Sequence, residues 1–409
     1  MLEVAKIYVQ DLQVGMYVSN LDRPWLETPY LLQGFTLESS ADIHRLRDIC
    51  DFVYVDTRKS VVVTEEKPLF TSERKRQTPA QIFHGRRLTS YRDSDSWDKE
   101  FPRAQDAVKK LSSGIDSLFD RMREGDPLDF DGIKQSVDPM IDSVVRNPDA
   151  CIWLARLKQQ DQYTYQHSLG ASIWAVALGR QLGLPRKDLR SLAVGGLLFD
   201  VGKLSVDPEL LNATRPLTNE EFDQVRSHVV LGVDMVKEAG HLSSDVVDMI
   251  AHHHERHDGS GYPDGLKGDA IPVFARIAAI VDCYDAITSH RSYARAMPPS
   301  QAIKMLYEWK DIDFQAELVE TFIQAIGIYP AGTLVELSTG EVAVVIAEYR
   351  SRRLRPKVMV LLDSGKQPLA EVKTIDLLAE SEKGDEARID IVGSLEPDAY
   401  GIDMAGISL

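Results

Sequence analysis

Apolar residues near the start of the chain alternate with polar ones, which is the spacing of a half-buried strand. This alternation predicts strands at residues 7–9 and 16–18, and the apolar run at residues 52–55 predicts a third strand. Between them, apolar residues recur at three-residue steps after Ser40, which indicates a helix. We therefore predict a small α/β module over residues 1–57.

The middle of the chain changes first to a polar composition and then to helical spacing. Residues 58–98 are rich in Lys, Arg, Ser, Thr and Asp and have little periodicity, so we predict a polar linker. From residue 104 onward, apolar residues recur at steps of three and four, which is typical of amphipathic helices. This spacing predicts a helical lead-in over residues 99–147 and an all-helical domain over residues 148–327.

A β pattern returns beyond the helical domain. Residues 333–337 and 342–346 flank a turn and predict a hairpin, and residues 357–362 predict a third strand. We therefore predict a small β cap over residues 328–380. The remaining residues, 381–409, are acidic and weakly patterned, which indicates a tail that is partly disordered.

The predicted fold class is multidomain and mainly α. An all-helical core domain carries a small N-terminal α/β module and a small C-terminal β cap, and 409 residues are ample for about two or three domains. No apolar run approaches the roughly 20 residues that cross a bilayer, so we expect no membrane insertion. The start of the chain lacks a secretory pattern and its three cysteines are scattered, which favours a cytoplasmic protein with reduced thiols.

The charge balance limits the classes of partner. A formal net charge of −16 disfavours nucleic acid and anionic membrane surfaces, because both require a positive footprint on the protein. A small anionic ligand is still compatible with this charge. Metal ions and a few Lys or Arg residues would have to neutralise such a ligand locally.

One short segment concentrates the metal-binding chemistry. His253, His254 and Glu255 stand just before a glycine-rich turn at residues 258–263, which indicates a metal site next to a ligand loop. A zinc metalloprotease helix requires a second histidine three residues after a His-Glu pair, and the residue at that place is Asp258. We therefore set the protease interpretation aside.

Other polar residues interrupt helical segments that are otherwise apolar. Asp200 follows an apolar run, and Lys203 lies one helical turn later, so a plain ion pair between them is one explanation. Asp282 interrupts a second apolar run and also needs a partner. His167 and His228, each taken alone, are better explained as packed or surface histidines than as metal ligands.

The order of these motifs resembles that of the HD-GYP family of bacterial cyclic di-GMP phosphodiesterases. The match runs over residues 148–327 and includes Asp-x-Gly-Lys from Asp200, His-His-Glu from His253, and a later Asp-x-x-Asp-Ala. Its most specific part is residues 258–268, Asp-Gly-Ser-Gly-Tyr-Pro-Asp-Gly-Leu-Lys-Gly. Residues 21–29 also resemble a module of unknown function that often precedes this domain.

The resemblance implies a helical HD-type domain that binds divalent metal ions and hydrolyses cyclic di-GMP to pGpG, GMP or both. The expected metals are iron or manganese, about one or two ions per chain. Asp200 matches the carboxylate that bridges two metals. The residues that match metal-ligand positions of the family are His167, Asp200, His228, His253, His254 and Asp282.

The resemblance also implies residues that act on the substrate. Lys203 and Arg291 match residues that contact a phosphate group, and Asp200 and Lys203 are the expected catalytic residues. Their charges would offset the negative charge of the ligand. The loop beside the substrate is formed by Gly261, Tyr262 and Pro263.

The chain departs from the family pattern at the histidine of the HD pair, because Phe199 precedes Asp200. Tyr163 stands where some relatives have a glutamate for a third metal, and Ala294 stands where many have a basic residue. Two interpretations follow: a metal-dependent phosphodiesterase with one weakened metal position, or a catalytically impaired cyclic di-GMP receptor that acts through signalling protein partners. A hydrolase for another nucleotide phosphate is a third.

Overall fold

The computed structural model describes residues 4–22, 34–47, 49–56, 59–60, 76–124, 129–157, 163–213, 215, 217–239, 242–289, 296–350, 352–380 and 388–402. The chain divides into two compact units. The first combines residues 1–76 with the segments 205–228 and 292–294, and the second contains the remaining residues.

The N-terminal residues of the first unit form a small antiparallel sheet with one helix. The strand order is β1-β4-β2-β3, and β4 is buried along its whole length, which explains why its sequence is a continuous apolar run rather than an alternation. Leu46 on the helix is fully buried. The predicted N-terminal α/β module is thus confirmed. Its elements are β1 (Val4–Tyr8), β2 (Tyr17–Leu21), β3 (Phe35–Thr36), α1 (Ser40–Arg47) and β4 (Phe52–Asp56).

Among the described residues, the helical region has four helices before its central helix and eight after it. The bounds of the first group are α2 (Pro79–Ile82), α3 (Trp97–Arg123), α4 (Phe130–Arg146), α5 (Pro148–Arg156) and α6 (Tyr163–Leu182). Those of the second group are α7 (Arg186–Leu198), α8 (Pro208–Leu211), α9 (Asn219–Arg226), α10 (His228–Ala239), α11 (Ser244–His252), α12 (Val273–Thr288), α13 (Pro299–Glu308) and α14 (Ala316–Ile326). The predicted helical core domain is therefore confirmed.

Helix α6 is the centre of the second unit. Its residues from Leu169 to Arg180 are all buried, and the helix packs against α5, α7, α12 and α14. A helix that is buried on every side belongs in the core of a large domain, and its sequence is correspondingly apolar. Polar residues on such a helix lie in the interior of the domain, where they need partners.

Helices α6 and α7 approach each other closely at a glycine. A Cβ atom built on Gly196 of α7 would lie 2.8 Å from the Cα atom of Ser172 on α6. Backbone atoms cannot give way as a flexible side chain can, so only glycine fits there. This close approach fixes α7 against α6 just before the site residue Asp200.

The second half of the predicted polar linker packs on the helical domain. Phe83 is buried and its ring meets Phe274 edge to face, with centroids 6.4 Å apart. Arg86 forms ion pairs with Asp188 and Asp245. The Tyr91 hydroxyl donates to the carbonyl of Leu184 over 2.8 Å. Local composition indicated a linker because these partners lie far away in the sequence.

The C-terminal residues form a five-stranded antiparallel sheet in the order β8-β7-β6-β5-β9. The sequence predicted the three inner strands and missed both edge strands. β8 is largely exposed and β9 is short with a glycine, so neither has a strong apolar pattern. β9 lies within the predicted acidic tail, so part of that tail is ordered. The elements are β5 (Leu334–Leu337), β6 (Val342–Ala347), β7 (Lys357–Leu362), β8 (Pro368–Asp376), α15 (Leu377–Glu380) and β9 (Ile391–Ser394).

A buried polar contact attaches this sheet to the helices. The backbone N–H of Glu348 donates to Asp149 on α5 over 3.0 Å, and Arg350 donates to the other carboxylate oxygen of Asp149 over 2.6 Å. Because Asp149 is almost fully buried, these donors satisfy a carboxylate that would otherwise be costly inside the domain. Among the residues described, no helix is long and apolar enough to span a membrane.

The substitution Gly196→Ala should destabilise the protein, because its methyl group would force α6 and α7 apart. We expect a loss of about 1–3 kcal/mol in the free energy of unfolding, measured by denaturant titration. Gly393→Ala is the matched control, since a Cβ atom there meets nothing within 4 Å. Equal stability of both variants would contradict the close packing.

Candidate metal centre

The residues that sequence analysis assigns as metal ligands lie at helix ends or on central helices. His167 lies on α6, Asp200 follows α7, His228 begins α10, and Asp282 lies on α12. Helix α11 ends at His252, so its two following histidines leave the helix rather than continue it. This ending agrees with setting aside the metalloprotease motif, which requires an unbroken helix.

Four of these residues converge on one point. Among the residues described, Asp200, His228, His253 and His254 each offer one ligand atom, and these four atoms lie within 4.8 Å of one another. All four side chains are buried, with exposed fractions of at most 8%. Three imidazole nitrogens and one carboxylate oxygen are a donor set that suits iron, manganese or zinc. The residues therefore fit a divalent metal ion.

Two of the imidazoles are oriented by backbone carbonyls. Nδ1 of His228 lies 2.7 Å from the carbonyl of Val225, and Nδ1 of His253 lies 3.1 Å from that of Ile250. A carbonyl only accepts, so Nδ1 must carry the proton in both rings. The neutral ring then has its lone pair on Nε2, which is the arrangement found around protein metal sites. Nε2 of His253 lies 3.7 Å from Asp200.

His167 and Asp282 form a second group of donors on the other side of Asp200. Nε2 of His167 lies 3.1 Å from Asp282 and 3.5 Å from Asp200. Burial alone would lower the pKa of His167, but hydrogen bonds to Asp282 and Asp285 outweigh burial and raise it. Burial would raise the pKa of Asp282, but its hydrogen bond to His167 and the charges of His167 and His253 together outweigh burial and lower it.

Asp285 binds Nδ1 of His167, the ring nitrogen opposite the one that faces Asp200 and Asp282. The sequence did not predict this role. The Asp285 carboxylate accepts from Nδ1 of His167 over 2.8 Å and from Nε1 of Trp174 over 2.9 Å. A carboxylate on Nδ1 directs Nε2 towards the metal position and makes the imidazole a stronger ligand. The sequence signal was a second buried carboxylate one helical turn after Asp282 on an apolar helix.

Phe199 lies inside this cluster of ligands. The side chain is fully buried, and its ring centroid is 4.8 Å from that of His253 and 5.6 Å from that of His167. A phenyl ring has no lone pair for a metal. The group formed by His167, Asp200 and Asp282 therefore has an apolar neighbour at the sequence position where the family has a histidine ligand.

Lys203 forms the ion pair with Asp200 that the sequence allowed. Its ammonium group donates to the carboxylate over 2.7 Å, and the lysine side chain is 29% exposed whereas that of Asp200 is 3% exposed. The pair therefore has one end in the interior and one end open to solvent. An anion that approached from the solvent side would meet the positive charge first.

The glycine-rich turn lies directly against the histidine pair. The ring of Tyr262 stacks on the ring of His254, with centroids 4.7 Å apart and an angle of 21° between planes. A Cβ atom on Gly261 would lie 2.4 Å from the carbonyl oxygen of His254, and Pro263 is exposed. Arg291 lies outside the described residues.

Glu255 turns away from the metal ligands and binds this loop. Its two carboxylate oxygens accept the backbone N–H groups of Asp264 and Leu266 over 2.8 and 2.9 Å. Burial raises the pKa of Glu255, although both N–H groups favour its charged form. The carboxylate next to the histidine pair is therefore a loop contact rather than a ligand.

Three known families match consecutive parts of the chain. Residues 148–316 match the HD domain family, and residues 4–133 match a domain of unknown function, DUF3391. Residues 334–383 match a KOW domain associated with the HD domain. The second of these matches extends through residues that sequence analysis assigned to a linker and a helical lead-in.

Curated relatives resemble most of the chain or its helical part. The cyclic di-GMP phosphodiesterase PA4108 of Pseudomonas aeruginosa is 34% identical over 380 residues, which cover 91% of this chain and 88% of the relative. The cyclic di-GMP phosphodiesterase response regulator RpfG of Xanthomonas campestris is 34% identical over 36% of this chain and 39% of its own length. A 3'3'-cGAMP-specific phosphodiesterase of Vibrio cholerae is 30% identical over 41% of this chain and 32% of its own length.

The substitution Asp285→Asn should weaken metal binding at His167, because the amide cannot fix the imidazole as a carboxylate does. We expect about a 10- to 100-fold loss of affinity at that position, measured as bound manganese per chain against free manganese. Ser289→Ala, which removes only a hydroxyl group 3.3 Å from Asp285, is the control. A binding curve for Asp285→Asn that matches that of the wild type would show that Asp285 does not support the ligand.

Proposed function

The chain belongs to the HD-GYP family of cyclic di-GMP phosphodiesterases, and we propose that it hydrolyses cyclic di-GMP to linear pGpG, GMP or both. The chain is a phosphodiesterase, and the relative from Pseudomonas aeruginosa that it matches over nearly its whole length is named for this activity. The substrate and products assigned to this chain are our proposal. The proposal rests on the site rather than on the fold alone.

The observation that supports the proposal best is the convergence of Asp200, His228, His253 and His254. A buried carboxylate beside three buried imidazoles is costly when only Lys203 offsets its charge, because each polar group has been removed from water, and a bound metal ion would lower this cost. Such an arrangement is typical of a metal position and unusual as core packing.

We assign the metal ligands of this chain to two positions that share Asp200. The better preserved position is the four-residue cluster, and the weaker position has Asp200 with His167 and Asp282. Divalent iron or manganese, about one or two ions per chain, would supply Lewis acidity that activates water and stabilises the negative charge of the reacting phosphate.

The positively charged side chains of the site are proposed to bind the phosphate groups of the substrate. We propose that Lys203 turns from Asp200 to a phosphate oxygen when substrate binds, since its ammonium group lies at the open end of that pair. Arg291 is proposed as a second phosphate contact. In a chain with a net charge of −16, such local cations are what makes binding of a doubly charged dinucleotide favourable.

Gly261, Tyr262 and Pro263 are proposed to shape the substrate side of the site. The loop lies against the ligand His254, so a nucleotide bound near the metals would also lie near this loop. Relatives in Vibrio cholerae are named as specific for 3'3'-cGAMP, which differs from cyclic di-GMP in one base. The choice between these two dinucleotides is therefore part of the test.

The alternative is a receptor that binds cyclic di-GMP without cleaving it and acts through protein partners. Phe199 is the observation in its favour, because an apolar ring lies between two histidines of the site. The intact four-residue cluster and the placement of Lys203 favour the enzyme. A metal position with one missing ligand has a lower affinity but is still able to bind at sufficient metal concentration.

Purified full-length protein with manganese or ferrous iron should convert cyclic di-GMP to pGpG or GMP, followed by chromatography over time. Asp200→Ala should lose this activity, because the variant removes the carboxylate that both metal positions share. Cyclic di-GMP should react faster than 3'3'-cGAMP.

Retained binding of cyclic di-GMP without product above the Asp200→Ala level would reject the enzyme and support the receptor. Faster turnover of 3'3'-cGAMP would reject the substrate assignment and keep the reaction type. The time course separates the products, since pGpG that accumulates without GMP shows that hydrolysis stops at the linear dinucleotide.

The substitution Phe199→His should raise both the metal content and the turnover, because it restores a ligand between His167 and His253. Metal per chain is measured by elemental analysis, and turnover by the same chromatography. Phe199→Leu is the matched control, since it removes the ring without adding a ligand. A gain in the leucine variant equal to that in the histidine variant would show that the ring, not the missing nitrogen, limits the site.

A further inference from the structure

The ring of the proposed metal ligand His254 lies between two other rings, one of which belongs to the glycine-rich loop (residues 259–268). The ring of His254 lies 4.1 Å from that of His253 on one side and 4.7 Å from that of Tyr262 on the other. A planar ring between two others has little freedom to rotate. The orientation of this ligand therefore depends on where the loop places Tyr262.

Glu255 holds the loop in that place. Its side chain is only 1% exposed, and its two oxygens accept N–H groups from residues 264 and 266, on the far side of Tyr262. A buried carboxylate is costly without such donors, so the closed loop satisfies Glu255, and a change in the loop that removed these two donors would leave the carboxylate unsatisfied. The closed arrangement is thus favoured by electrostatics as well as by packing.

Two further contacts keep the loop close to the ligands. At its start, Gly261 has no room for a side chain, because a Cβ atom would lie 2.4 Å from the backbone N of Arg256. Just before the loop, the backbone N–H groups of His257 and Asp258 donate to the carbonyls of Asp313 and Ile312, each over 2.9 Å. The loop is therefore fixed at its base and held across its middle.

We propose that Glu255 and Tyr262 are positioning residues for the metal, in addition to any contact that Tyr262 makes with substrate. The loop orients His254 for the four-residue metal position, so metal affinity depends on loop closure. The coupling is reciprocal by thermodynamic necessity, so a bound metal must in turn hold the loop closed. This inference rests on the proposed metal site but does not require that cyclic di-GMP be the substrate.

The test measures manganese binding to the full-length protein without substrate. Tyr262→Phe keeps the stacked ring and should bind manganese as the wild type does. Tyr262→Ala and Glu255→Gln should each raise the Kd for manganese by about 10- to 100-fold. Lys267→Ala is the control, because it changes an exposed side chain of the same loop and keeps Glu255, its two N–H donors and Tyr262.

Hydrogen exchange of residues 259–268 gives the reciprocal measurement. Manganese should slow exchange in the wild type and in Tyr262→Phe, and should slow it less in Tyr262→Ala. Wild-type affinity in Tyr262→Ala, with loop exchange indifferent to manganese, would overturn the inference.

The two failures are distinguishable. A wild-type protein that binds no manganese or ferrous iron would reject the metal site and with it the proposed function. A wild-type protein that binds manganese and shows no effect of either Tyr262→Ala or Glu255→Gln would reject the loop inference alone. Thermal unfolding of each variant shows whether a loss of binding comes from unfolding.

Discussion

Negative charge concentrated inside an apolar helical core is the constraint on which the site depends. Asp200, Asp282 and Asp285 are all at most 9% exposed, and an unpaired buried carboxylate costs several kcal/mol. His167 lies against all three, and its raised pKa reflects bonds to two of them that outweigh burial. Lys203 offsets Asp200 from the solvent side. A metal ion would complete this balance of charge. Close packing of the helices is what brings its candidate ligands together.

Phe199 lies between two groups of candidate metal ligands that differ in their number of donors. The phenyl ring packs against His167 and His253 and so is well accommodated, but it contributes no donor to the metal position that includes Asp282. The other group keeps all its donors, and the ring of Tyr262 stacks on that of His254 in this group. Membership of the family is therefore compatible with the weaker second metal position that we propose.

The sequence predicted the features of the fold that local patterns determine. Apolar spacing indicated the helical core, three of the four strands of the first sheet and the inner strands of the second, and motif order placed Asp200 with the histidines. It missed what depends on distant partners, such as the edge strands β8 and β9, the docking of Arg86 on the helices, and the support that Asp285 and Glu255 give to ligands and loop. A carboxylate that binds a metal ion and one that only positions a neighbouring side chain or loop cannot be distinguished in a sequence. Only the fold shows which atoms each one faces.

Anomalous diffraction from crystals of the full-length protein grown with manganese tests the central claim most directly. We expect the strongest peak within ligand distance of Asp200, His228, His253 and His254, and a weaker peak next to His167 and Asp282. A peak confined to the His167 side, or no peak among the four buried donors at saturating manganese, would contradict the assignment of the better preserved metal position.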